Sequence, residues 1–193
     1  MSRFLNYWHH QLLPSPVKLL LRKDSLWTRL YSITLAYTGI SVGELVALKW
    51  SDIDFTKQTI RITKTYKNVG NNTLKYQLEP PKTKKSRREV VVDELVINTL
   101  LKYKETQDKL IQRLGNSYPD QGFVFANVHR HPGYPVLIKV VETRMARLLK
   151  KVDLNQELTP HSLRHPYFPS CRSWRGNRRD YDRLGHQDDE VTR

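Results

Sequence analysis

Between residues 24 and 115 the apolar pattern changes period twice, and few folds accommodate that order. From Asp24 or Ser25, either of which can cap a helix, Leu26, Leu30, Ile33 and Tyr37 recur at helical spacing as far as Gly39, a natural C-cap. Val42, Leu45 and Leu48 predict a second, short helix ending at Lys49-Trp50. The period then drops to two: Thr59 to Tyr66 alternates as a half-buried strand does, Asn68 to Asn72 is a turn cluster, and Tyr76 to Leu78 and Arg88 to Val92 continue the strand pattern. Asp93 restores the helical period by capping a long helix whose stripe holds Val96, Leu100, Tyr103 and Leu110 and which stops near Gly115. Helices flanking a small antiparallel sheet, with Pro80 to Ser86 as a basic turn between two of its strands, make a mostly helical α+β class.

The rest of the chain adds less. Phe123-Val-Phe125 predicts a short strand, and Pro135 opens a helix with Leu137, Val141, Met145, Leu148 and Val152 on its buried face. Lys139, Arg144, Arg147, Lys150 and Lys151 lie opposite, a face that is either solvated or DNA-facing. Residues 1–23, with Pro14 and Pro16 and no clean period, read as a leader of uncertain order before one domain over 24–193. The single Cys171 excludes an internal disulfide and a multi-cysteine zinc site, and His9-His10 and His129/His131 lack acidic or thiolate companions at ligand spacing. No apolar run is long enough to span a bilayer and no signal peptide is visible, so the expected location is the cytoplasm, without a membrane partner. With 33 Lys+Arg against 19 Asp+Glu, a formal charge of +14, the expected partner is a polyanion, and nucleic acid leads.

Chemistry concentrates in Leu158-Thr-Pro-His161-Ser-Leu-Arg164-His165. Thr159 and Pro160 favour a helix start. His161 and Arg164, three apart, share one face of that turn, so an imidazole, a guanidinium and free backbone donors converge where a phosphate would bind. A second basic stretch runs from Lys82 to Arg88. Each residue alone also has a plain reading: His161 as a cap or core histidine, Arg164 as an ion-pair partner, Lys82 as part of a solvated turn.

Taken together, Thr38-Gly-Ile-Ser41-Val-Gly-Glu44-Leu-Val-Ala-Leu48-Lys-Trp-Ser-Asp52-Ile-Asp54, Pro81-Lys82-Thr-Lys84, His161-Ser-Leu-Arg164-His165 and Leu184-Gly-His186 stand in the order found in tyrosine recombinases. From about Asp24 onward the chain resembles the catalytic domain of a phage or transposon integrase. The resemblance implies site-specific DNA breakage and rejoining through a phosphotyrosine, with no metal or nucleotide cofactor. It makes Arg164 the second of two arginines that stabilise phosphoryl charge, and His161 a histidine that assists proton transfer. Lys82 becomes the lysine that protonates the leaving oxygen, with Lys84 the alternative, and His186 a later phosphate-binding histidine. Lys82, Lys84, Lys85, Arg87 and Arg88 become the expected contacts to double-stranded DNA, and other recombinase protomers become potential partners.

Three departures bear on activity. Where the family carries its first catalytic arginine, this chain has Ser41. The nucleophilic tyrosine is expected shortly after the motif of His186; no tyrosine follows it here, and Tyr181 precedes it. Lastly, His165 to Asp180 holds two prolines, a glycine and four arginines without an apolar stripe, where the family continues an amphipathic helix. One allowed coding of Pro166 to Trp174, CCA TAC TTC CCT TCT TGC AGA AGC TGG, reads His-Thr-Ser-Leu-Leu-Ala-Glu-Ala-Gly from its second base. That resembles the family's helix pattern, and the expectation is that 165–182 is an aberrant, frameshifted segment. Because the family also carries an N-terminal DNA-clamping domain, for which there is no room before Asp24, the chain reads as a truncated, inactive catalytic domain. The alternatives are a non-catalytic DNA-binding remnant that interferes with an intact recombinase, and an unrelated basic nucleic-acid-binding protein.

Overall fold

A computed structural model describes residues 26–68, 70, 72–81, 86–151 and 159–160 of the 193. The expected leader, the caps Asp24 and Ser25, Val152 and the segment 165–182 lie outside them. Helix α1 (Leu26–Thr38) ends where expected: Gly39 takes φ +64°, and its N–H donates to the Leu35 carbonyl at 3.0 Å. Leu30, Tyr31, Ile33 and Leu35 of α1 are buried completely or nearly so.

Helix α2 (Val42–Val46) is shorter than its apolar spacing predicts. The Leu48 carbonyl accepts from the Val124 N–H at 3.0 Å and the Trp50 N–H donates to the Gly122 carbonyl at 2.9 Å, so this backbone is committed to a cross-connection with residues 122–124. A single 3-10 turn (Trp50–Asp52) follows, and then β1 (Ile53–Asp54) and β2 (Thr59–Ile62).

The expected single strand over Thr59 to Tyr66 is two strands. β2 pairs antiparallel with β1 and with β5 (Arg88–Val91), whereas β3 (Thr65–Lys67) pairs with β4 (Gln77–Glu79) in a separate two-stranded sheet. The turn after Pro80 therefore joins strands of different sheets. The break falls at Thr63-Lys64, where the Lys64 ammonium reaches back to both carboxylate oxygens of Asp52 at 2.8 and 2.7 Å and draws the chain away from the first sheet. Side-chain alternation continues through the break, with Ile62 and Tyr66 buried and Arg61 and Thr63 exposed, which is why the pattern alone shows one strand.

Helix α3 (Glu94–Leu114) is capped by Asp93, whose carboxylate accepts from the Leu95 N–H at 2.8 Å, and ends at Gly115 with φ +50°. Helix α4 (Ile138–Lys151) begins three residues after Pro135. The preceding backbone is already paired: the Val136 N–H donates to the Phe125 carbonyl at 3.0 Å, and the Asn127 amide donates to the Pro135 carbonyl at 2.9 Å. The expected strand at Phe123–Phe125 is two isolated bridges, Lys49 with Phe123 and Ala126 with Pro135.

One core joins all of this. Leu30, Leu45, Ile60, Val90, Leu100, Val141 and Met145, from every helix and the three-stranded sheet, form one buried cluster with Phe125 of the segment before α4. The architecture is α+β, helices around a small antiparallel sheet, and α2 is held between α1, α4 and β3. No helix among the described residues is long and apolar enough to cross a membrane.

Candidate active site

The described part of the site is built on the Gly39–Ser41 corner. Ser41 has extended backbone (φ −75°, ψ 160°) and is the N-cap of α2. Its Oγ accepts from the Glu44 N–H at 3.2 Å, while the Glu44 Oε2 accepts from the Ser41 N–H at 2.7 Å, a reciprocal capping box. The box leaves the Ser41 side chain with a cap to make and no positive charge. The Glu44 half of it binds residue 41 only through its backbone, so it accommodates any side chain at that position, an arginine included.

Glu44 also holds Arg88. The guanidinium Nη1 donates to Glu44 Oε1 at 3.0 Å and Nη2 to Oε2 at 3.3 Å, with both side chains less than a tenth exposed. Arg88 Nη1 donates further to the Ser86 carbonyl at 3.2 Å, and its Nε is buried without a hydrogen-bond partner among the described residues. A buried, two-pronged arginine–carboxylate pair has fixed geometry. It ties β5, which follows the basic turn, to the corner bearing Ser41. Lys64 and Asp52 form a second, largely buried tie, between the 3-10 turn and the chain entering β3.

Of the DNA contacts expected from the sequence, Arg87 is exposed, and Arg88 points inward onto Glu44 instead of outward to solvent. Lys82, Lys84 and Lys85 lie outside the described residues, as do His161, Arg164 and His186; Thr159 is exposed and Pro160 buried just before them. The geometry thus brings together Ser41, Glu44 and Arg88. Of these, Glu44 was not singled out from the sequence, although Ser41-x-x-Glu44 is a legible capping-box signature. Arg144, expected on the basic face of α4, stacks its guanidinium 4.5 Å from the Trp27 ring centre. No cluster of His, Cys, Asp and Glu able to hold a metal occurs among the described residues.

A family model described as "Phage integrase family" matches residues 10–169. The chain belongs to the phage integrase family. An integrase of Staphylococcus phage L54a is 28% identical over 158 residues, covering 81% of this chain and 44% of that protein. A tyrosine recombinase XerC-like protein of Caldanaerobacter subterraneus subsp. tengcongensis is 30% identical over 143 residues, covering 67% of this chain and 34% of the relative. Among solved structures, the Tn1549 transposon integrase in complex with transposon right end DNA superposes with a TM-score of 0.67 at 22% identity, over 90% of this chain and 56% of that one. The α+β fold is therefore that of the integrase neighbours. The chain spans less than half the length of the curated relatives it matches. Membership removes the alternative of an unrelated basic nucleic-acid-binding protein.

Proposed function

We propose that this chain is an integrase catalytic domain that binds double-stranded DNA at its recombination face and, with Ser41 where the first arginine stands in the family, does not cleave it. The observation that carries this reading is the Ser41–Glu44 capping box: the residue at the arginine position is a neutral cap. In this reading Arg164 and His161 bind the scissile phosphate, His186 adds a donor to a phosphoryl oxygen, and Lys82 lies in reach of the leaving oxygen. Lys84, Lys85 and Arg87 contact backbone phosphates. A serine hydroxyl cannot supply the delocalised, two-pronged charge that an arginine gives to a developing phosphorane, and loss of one such donor costs about 3 kcal/mol or more of transition-state stabilisation. Arg88 does not substitute for it, because its guanidinium is held on Glu44. The DNA-bound integrase among the structural neighbours supports DNA as the partner. The formal charge of +14 supports it too, and a cytoplasmic location is part of the same reading.

A nicked duplex that traps covalent protein–DNA intermediates tests the proposal. The expected result is gel retardation that weakens steeply with salt and no covalent adduct. An adduct would refute inactivity; absence of retardation at low salt would refute DNA binding.

A further inference from the structure

A cavity of about 520 Å³ opens between α1, α3, α4 and the loop 126–130. Its inner wall is apolar: Trp27, Leu110 and Val140 face it, and Trp27 is locked in place by edge contacts to Tyr31 and Phe125 at 5.0 and 6.0 Å between ring centres. Its rim is cationic. Lys109, Arg113, Arg130 and Arg144 line the opening, all four are exposed, and no described residue in the lining is acidic.

This concentration differs from the surface around it. On the same helices Lys104 is paired with Asp108 at 3.0 Å and Lys139 with Glu142 at 3.5 Å, whereas none of the four rim cations has a carboxylate partner among the described residues. The cavity is also remote from the Ser41 corner, since Trp27 and Thr38 are separated by roughly 17 Å along α1 at 1.5 Å per residue. A duplex backbone can meet a cationic rim but has nothing to place in an apolar cleft. A peptide can fill both regions, with aliphatic side chains inside and carboxylates at the mouth.

We infer that this cleft is a docking site for an acidic peptide segment of a partner protein, anchored by an apolar side chain against Leu110 and Val140 beside the Arg144-capped ring of Trp27. The rim cations select the charge and the locked indole supplies a preformed floor, which lowers the ordering cost of binding.

A short fluorescent peptide of Asp and Glu carrying two leucines one helical turn apart, titrated into the full chain at physiological salt, tests the inference. Expected is saturable binding that weakens about tenfold or more when the leucines become serine, and by a similar factor in the Arg113→Glu, Arg130→Glu double variant. The Lys57→Glu, Lys75→Glu variant, with the same change of net charge on exposed residues that do not line the cleft, is expected to bind within about twofold of the parent. Equal losses in the two charge-reversed variants, or undiminished binding of the serine peptide, would show a response to net charge alone and overturn the inference. Failure of the peptide to bind, with loss of duplex binding on reversal at the rim, would assign the cleft to the nucleic-acid surface and equally overturn it.

Discussion

Position 41 serves one of two roles that exclude each other: a helix cap needs a short oxygen acceptor, and a phosphoryl clamp needs a long cation. Replacing Ser41 tests which role the present chain keeps. Ser41→Ala removes one acceptor and is expected to cost about 1 kcal/mol in urea unfolding. Ser41→Arg should cost a similar amount but raise DNA affinity, with the salt dependence steeper by about one counterion, as read by fluorescence anisotropy across a salt series. The Glu44–Arg88 pair makes a second prediction. Either Glu44→Ala or Arg88→Ala leaves a buried charge without its partner and is expected to destabilise by about 3–5 kcal/mol, whereas Glu44→Met with Arg88→Met should cost much less. If unfolding curves instead show that the two losses add, the pair is not the coupled unit described. Tyr103 gives a pH signature. Burial, joined by the nearby Tyr118 and opposed by Arg144, pushes its phenol far above the ordinary value near 10. The folded state therefore keeps a proton that the unfolded chain releases, so stability is intact below about pH 10 and falls as pH rises from there toward the folded value. Tyr103→Phe should flatten that alkaline limb in thermal melts. Of these residues, Ser41 was visible in the sequence as a departure and Tyr103 as core. The direction of Arg88 was not, because a basic run gives no sign of which cation turns inward to a carboxylate 44 positions away.

Elements were legible where one local signal decided them and illegible where a partner elsewhere in the chain competed. Gly39 and Asp93 bounded α1 and α3 because cap chemistry is local. Helix α2 stopped early, and the strand over Thr59 to Tyr66 split, because backbone groups of Leu48 and Trp50 and the side chain of Lys64 found partners far along the chain. Packing of α2 on β3 is close enough to test at one position. A Cβ added at Gly43 would lie 2.6 Å from Thr65 Oγ1, and 3.4 Å from the Tyr66 carbonyl oxygen. Gly43→Ala should improve helix propensity yet destabilise the protein by about 1–3 kcal/mol, since the contact must open. Adding Thr65→Ala removes the obstructing oxygen and is expected to recover most of that loss in a chemical denaturation series. No recovery would mean that the Tyr66 backbone, not the hydroxyl, sets the spacing.

At the scale of the whole molecule, the fold and the core follow from the sequence as far as α4. The motifs that carry the chemistry, His161-Ser-Leu-Arg164 and Leu184-Gly-His186, flank the stretch Pro166 to Asp180 that has the wrong pattern for the family. The family model stops within it, at residue 169. We propose that this stretch is read in a shifted frame, because one allowed coding of Pro166 to Trp174 gives the alternative reading His-Thr-Ser-Leu-Leu-Ala-Glu-Ala-Gly, which has an apolar helical stripe. The gene provides the first check: codons 166 to 174 should yield that reading from the second base, and any codon choice that does not would end the proposal. The protein provides a second. A chain in which Pro166 to Trp174 is replaced by those nine residues loses two prolines and gains good helix formers, so its far-ultraviolet helix signal and its melting temperature should both rise. That repaired chain should still form no adduct on a nicked duplex, because the arginine charge is missing at Ser41 and the chain tested carries no tyrosine after Leu184-Gly-His186. An adduct from the repaired chain with Ser41 in place would show that another residue supplies the nucleophile and that the arginine position is dispensable here, and would overturn the assignment of inactivity to residue 41.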